Sequence, residues 1–351
     1  MDGLIYFLIE VDDHTIHRYL TSPLGSRITG RAVPLFYRKL FKKRTEAGMI
    51  RELWRHAIKN ACRLIAGDWR RPFTRQMAGN LIDLCHRIFR YLWANGRVPK
   101  GIFIFTDLER MSDERLSKAQ TLRKLIMEST SAARVLNSPT DTMRRYDVLH
   151  TLYEQGINTF RAYRWSESER VRRFPVFLRY ENDHVGPISP LIHSQEELNE
   201  TLRDIKDRGK LSKHLLIIEF QDTADSNGIY RKYGAHIVGD RIFPRDLCFS
   251  RHWVLKLLNE SLNDADLLAE ERAYVTGNPH AEALKRIFAL TKIEYGRVDY
   301  SMLNGAIQVW EINTNPHITA EGPDRLGPRK PVYDLVEESF ISALETLTEN
   351  K

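Results

Sequence analysis

Cysteine is scarce in this sequence: Cys62, Cys85 and Cys248 are the three in a chain of 351 residues. None forms a CxxC pair, and three widely spaced thiols fall short of the four ligands of a structural zinc site. Reduced, buried thiols are expected instead, two of them on helices, in a cytoplasmic protein. The chain also lacks any uninterrupted apolar run of about 18 residues, which excludes a membrane-spanning helix. Its first residues, Met1-Asp2-Gly3 and then Leu4 to Ile9, lack the basic region and small-residue cleavage site of a secretory signal. Leu4 to Glu10 reads as a β-strand. There is no internal repeat, low-complexity tract or long Gly/Ser or Pro linker.

What is present is enough apolar material for a large core, 42% hydrophobic and 10% aromatic residues, at a length that suits two or three lobes. The formal net charge of +7 is compatible with nucleic acid, anionic lipid or an acidic substrate and does not choose among them. From Pro34 to Asn95 basic residues accompany apolar ones at helical spacing, as in Leu53, Trp54, Ile58 and Ala61, which predicts two or three amphipathic helices. The runs Tyr37 to Arg44 and Trp69 to Arg71 with Arg75 are either a polyanion-binding patch or ordinary solvated helix faces.

At Gly101 the pattern changes. Gly101 to Asp107 is a bounded apolar run, a strand, and Leu108 to Glu128 returns to helical periodicity. A further helix is expected from about Thr142 to Gln155, terminated by Gly156. Beyond Arg164 strands dominate: Phe174–Tyr180, Leu215–Phe220, Tyr233–Gly239, Glu294–Ser301 and Ala306–Ile312, with helices near Gln195–Ile205 and Asn278–Leu290. The fold class is therefore mixed, α/β at first and α+β afterwards. The expected division is residues 1–135, then 136–330, then a C-terminal helix over 331–351.

The stretch Gly296 to Pro316 carries the chemistry. It reads as a hairpin closed near Asn304-Gly305, with Arg297 and Asp299 on one face of the first strand and Glu311 and Asn313 on one face of the second. Whether the two faces coincide depends on register. A two-residue turn sets Asp299 opposite Trp310 and Glu311 on the wrong side. A three-residue loop, Leu303 to Gly305, pairs Asp299 with Val309 and unites all four residues, and is the expectation. Two carboxylates and an amide oxygen converging in this way suit a hard cation that keeps positions for phosphate, magnesium with a nucleotide, and Arg297 would face the phosphates. The bland alternative is a hairpin with polar residues on its outer face.

The pattern R-x-D, hairpin, E-I-N-T-x-P resembles the ATP-grasp superfamily, which includes D-alanine–D-alanine ligases and glutathione synthetases, over roughly Val135 to Ile318. The resemblance implies an ATP-grasp fold preceded by an α/β lobe. It also implies ATP and Mg2+ as cofactors, with Asp299, Glu311 and Asn313 as metal ligands and Arg297 as a catalytic arginine. Arg145, beside Arg144, and Arg179 stand where the family has phosphate-gripping lysines; arginine keeps the charge but changes reach and geometry. Leu215 to Phe220 looks like the hinge strand, with Glu219 and backbone groups near Phe220 toward adenine and Asp222 or Asp225 toward the ribose. The loop Tyr180 to Gly186, glycine-rich in the family, here holds one glycine and two acids. Arg231 and Lys232, and Arg241 with Arg245, border the implied cleft as phosphate or acidic-substrate contacts, or as plain surface. His317 is either an acceptor-pocket residue or a loop histidine.

The activity implied is ATP-dependent carboxylate–amine ligation through an acyl phosphate, on small-molecule or peptide substrates. A kinase acting on a hydroxyl, or a non-catalytic nucleotide-binding protein with a polyanion-binding N-terminal region, are the other readings.

Overall fold

The computed structural model describes residues 5–9, 32–36, 48–49, 51–52, 98, 101–129, 134–183, 185–255, 264–318 and 327–349. The basic runs at 37–44 and 69–75, with the polyanion contact expected of them, lie outside the described residues, as do Cys62, Cys85 and His184. No described helix is long and apolar enough to cross a membrane. The chain divides into two compact units: Met1–Asp141 with Asn315–Ile318 and Phe340–Lys351, and Thr142–Thr314 with Thr319–Ser339.

The first unit is an α/β layer. Strands β1 (Ile5–Ile9), β2 (Ala32–Phe36), β3 (Ile102–Phe105) and β4 (Arg134–Leu136) pair in parallel in the order β2-β1-β3-β4, and helix α1 (Asp113–Ser129) connects the last two. Ile5 to Leu8 and the whole of β3 are buried, which is why they read as continuous apolar runs rather than alternating ones. Asp107 follows β3 in the left-handed region at φ 59° and accepts from Asn315 Nδ2 at 2.9 Å.

The second unit holds two antiparallel sheets. The smaller, in the order β5-β7-β6, comprises β5 (Ala162–Arg164), β6 (Val176–Tyr180) and β7 (Leu215–Glu219), with α2 (Arg145–Glu154) before it and α3 (Gln195–Asp207) within it. Gly156, at φ 66°, ends the turn after α2 as its sequence position predicts. The larger sheet runs β11-β10-β8-β9, from β8 (Tyr230–Val238), β9 (Arg241–Ser250), β10 (Tyr295–Leu303) and β11 (Ala306–Asn313). Strand β9 and helix α4 (Ala265–Gly277) were not expected from the sequence; α5 (Ala281–Thr291) was. Helix α6 (Lys330–Glu349) runs through the expected C-terminal helical span, its residues up to Ser339 in the second unit and those from Phe340 in the first.

Alternation gives the larger sheet two unlike faces. Tyr233, Ala235, Ile237, Leu247, Phe249, Val298, Tyr300, Val309 and Ile312 form one core with Leu267 and Tyr274 of α4, Leu284, Ile287 and Phe288 of α5, and Val148 and Leu152 of α2. Each such side chain contributes about 1.5–3 kcal/mol on burial, so this face fixes the strand register. The intervening residues, Lys232, Gly234, His236, Arg297, Asp299, Glu311 and Asn313, take the other face.

Candidate active site

The hairpin β10–β11 closes on a two-residue turn, not the expected three-residue loop. Leu303 pairs with Ala306, and Asn304 and Gly305 both have positive φ, 49° and 79°, as a primed turn requires. The parity problem is solved further up the strand. Tyr300 pairs with Val309 but Asp299 with Glu311, so Trp310 is an extra residue, a β-bulge. Beyond the bulge Asp299 faces Glu311 and Arg297 faces Asn313, and the four residues share a face. Val309 and Ile312 stay in the core while Trp310 joins a cluster on the site face, its indole Nε1 on Ser301 Oγ at 2.9 Å.

Each carboxylate of this group is held by cations. Arg297 grips Asp299 with two donors, Nε to Oδ1 at 2.7 Å and Nη2 to Oδ2 at 3.0 Å, and Lys232 Nζ lies 3.9 Å from Oδ2 while donating to Leu255 O at 3.0 Å. Glu311 Oε2 accepts from Arg145 Nη2 at 2.5 Å and Arg179 Nη2 at 2.9 Å. Burial, followed by the adjacent Arg145, lowers the Arg179 pKa to about 10, with Glu311 opposing. Arg145 Nη1 donates to the carbonyls of Tyr180, Glu181 and Asp183 at 2.8, 2.9 and 2.9 Å, so it also binds the loop after β6. The two acids of that loop have partners of their own. Glu181 is buried and takes Arg164 at 2.7 Å, His214 at 3.4 Å and the Tyr146 N–H at 3.2 Å, while Asp183 Oδ1 caps the Val185 N–H at 3.2 Å.

The donor set suits magnesium. Among the described residues no group of three His, Cys, Asp or Glu side chains is placed to hold a metal, and two carboxylates with one amide is the complement that leaves positions for phosphate oxygens. The Nε–H groups of Arg145 and Arg179 are buried with no acceptor among the described residues, which suits an incoming anion.

Other expected contacts are placed elsewhere. Glu219 faces away from Arg179: on β6 and β7, Val176, Leu178, Leu215 and Ile217 pack on one side, and Phe177, Leu216 and Ile218 on the other. Alternation therefore sends Glu219 to the first side, where it takes Tyr163 Oη at 2.9 Å and the Arg161 N–H at 3.0 Å. Phe220 does lie on the Phe177 side, but its N–H is bonded to Pro175 O at 2.9 Å, and its carbonyl accepts from Arg173 at 3.3 Å and keeps a second lone pair. Arg231 and Asp225 are paired in this structure: Arg231 Nε and Nη2 hold Glu270 at 2.7 and 3.1 Å and Nη1 holds Asp225 at 2.6 Å. Asp222 Oδ1 caps the Ala224 N–H at 3.0 Å. Arg245 is buried against Asp246 rather than exposed, and Arg241 and His317 are exposed.

Sequence reasoning missed the aromatic lining of the site face. Trp253 lies 5.1 Å from Phe177 and 5.6 Å from Phe220, and Phe160 stacks on Trp310 at 4.9 Å, ring centre to ring centre. Phe177 sits two residues before Arg179 and Trp310 one before Glu311, so alternation and the bulge bring them to the same side as the charged groups. Trp253 carries no local signal.

No family model and no curated protein matches this chain. Among solved structures it is similar to D-alanine–D-alanine ligase from Bacillus anthracis complexed with ATP, at 13% identity over 99% of each chain and a TM-score of 0.46. It is similar also to the ATP-grasp ligase PsnB complexed with minimal precursor, at 11% identity over 96% of this chain and 100% of that one, TM-score 0.47. A third is a RimK domain ATP-grasp protein from Sphaerobacter thermophilus, at 11% identity over 96% and 99%, TM-score 0.44. At these values the side chains of the site, rather than the likeness, bear on function.

Proposed function

We propose that this chain is an ATP-dependent carboxylate–amine ligase of ATP-grasp type. The observation that carries the reading is the Trp310 bulge, which unites Arg297, Asp299, Glu311 and Asn313 on one face beside Arg145 and Arg179. Asp299, Glu311 and Asn313 would hold Mg2+, which would supply positive charge against the nucleotide phosphates. Arg179 and the free edge of Arg145 orient the phosphates, Arg145 from a fixed base on three carbonyls. Arg297, released from Asp299, meets negative charge developing on the transferred group. Phe177, Phe220, Trp253 and Trp310 offer an apolar, π-faced surface for the base, with the second lone pair of Phe220 O for an amino group. A carboxylate substrate accepts the phosphoryl group, and an amine displaces phosphate from the acyl phosphate. No side-chain nucleophile is required. The buried free thiol Cys248 suits a reducing cytoplasm.

Isothermal titration of magnesium-ATP into the parent chain and Asp299→Asn/Glu311→Gln tests the site, with thermal unfolding in parallel. Binding by the parent that the folded double variant loses supports it; binding that survives in the variant removes the metal assignment. Hydroxylamine trapping during ADP release then separates an acyl phosphate from a phosphorylated alcohol, the product of a kinase.

A further inference from the structure

Asp246 is a third carboxylate on the site face. The register pairs Glu311 with Asp299, Asp299 with Gly234, and Gly234 with Asp246, so the three acids stand in one line across four strands, interrupted only by glycine. At a strand spacing of about 4.8 Å the backbones at Asp299 and Asp246 are about 10 Å apart. The glycine is required there: a Cβ at Gly234 would lie 2.3 Å from Asp246 Oδ1, so the carboxylate leans over the place a side chain would fill. Its other oxygen is fixed by Arg245 Nη1 and by Tyr333 Oη at 3.3 Å. Asp246 is buried; desolvation opposes its ionisation, but Arg245, Arg297, Lys232 and Arg329 together hold its carboxyl below the ordinary aspartate value.

Two of those cations, Arg297 and Lys232, are the ones that hold Asp299. By register Lys232 lies two residues from Gly234 on β8 and Arg297 two residues from Asp299 on β10, both on the site face, so the line from Asp299 to Asp246 runs beside them. In the ligase reading, on which this inference rests, Asp299 passes to a divalent cation, and both side chains lose that partner while gaining a positive neighbour. The phosphates that arrive with the cation are one anion for them, and Asp246, fixed to the sheet by Arg245, is another that is in place beforehand.

We propose that Asp246 is a positioning residue for nucleotide binding: it becomes the counter-charge of Lys232 and Arg297 when Asp299 is taken by the metal, and keeps both cations on the site face. It touches neither metal nor nucleotide. Gly234 is part of the device because any side chain there would displace the carboxylate.

The test is calorimetry on the full chain with magnesium-ATP and, separately, with ATP in excess EDTA, for the parent, Asp246→Asn, Lys232→Met, their double variant and Gly234→Ala. Removing a group that holds a site residue in place costs about 10–100-fold in metal affinity. Asp246→Asn is expected to weaken magnesium-ATP binding by that factor while changing metal-free ATP binding by less than about threefold. Gly234→Ala, which removes no charge, shifts the same ratio in the same direction and carries the test if Asp246→Asn does not fold. In the double variant the Asp246→Asn effect largely disappears, because residues acting through one another are not additive. A lowered Tm with an unchanged ratio of metal-bound to metal-free affinity, or strict additivity, overturns the proposal and leaves Asp246 a buried structural ion pair. Absence of magnesium-ATP binding by the parent overturns the ligase reading and this inference with it.

Discussion

Arg145 meets Glu311 at 2.5 Å through one arm of its guanidinium while the other arm holds three carbonyls of the loop after β6. Arg145 is thereby a strut between Glu311 and the loop that follows Arg179. Glu311 pairs with two buried guanidiniums, those of Arg145 and Arg179.

Removing that anion should therefore cost stability before it costs chemistry. Glu311→Gln leaves two buried like charges facing each other, and breaking a buried pair costs roughly 3 kcal/mol. Thermal unfolding in a phosphate-free buffer should show a lowered Tm, and added pyrophosphate should restore part of it by supplying the missing negative charge. A variant as stable as the parent would mean the arginines find water instead.

Gly296 controls Asn313 through backbone contact. A Cβ there would sit 2.8 Å from the Asn313 carbonyl oxygen and 3.2 Å from Ile293 Cγ2. Gly296→Ala must push β11 away at Asn313, at a cost of about 1–3 kcal/mol. The expected outcome is a folded protein whose ATP binding has lost much of its magnesium dependence, read by calorimetry with and without metal. Parent-like magnesium dependence would show that Asn313 is dispensable.

A pH effect is expected from the buried pair of Glu271 and Arg329. Burial raises the Glu271 pKa from 4.5 to about 7 against the pull of Arg329, whose Nε is 3.1 Å away, and among the described residues Glu271 Oε2 accepts no hydrogen bond. The folded state thus binds this proton more tightly than the unfolded chain. Its contribution to stability is complete below about pH 4.5 and is lost as pH rises through about 7, on the order of 3 kcal/mol at most. Tm measured between pH 5 and 8 should fall more steeply for the parent than for Glu271→Gln. Identical slopes would mean Glu271 stays ionised in the fold.

The elements most legible in the sequence were those with strong local patterns: the continuous apolar strands β1, β3 and β7, the hairpin around Asn304-Gly305, and α2 with its terminal Gly156. Helix α4 was not, because the charged Glu271 sits on its buried side with Leu267 and Tyr274, which leaves no purely apolar stripe to read. Strand β9 carries Pro244 and a bulge beside Ala235, both of which break alternation.

By itself the sequence determined which donors exist and how they are spaced: Arg297 and Asp299 two apart, Glu311 and Asn313 two apart, and a turn that only positive-φ residues make. Alternation along a strand is a local property of the backbone, so these facts need no partner. The tertiary structure decided the rest. The core face of the larger sheet set the register and forced the bulge at Trp310, which turned Glu311 toward Asp299. Packing of the smaller sheet sent Glu219 away from the site. The counter-ions of Asp299, Glu311 and Arg231 come from residues up to 166 positions away, and charge pairing over that separation follows from the fold and not from any local pattern.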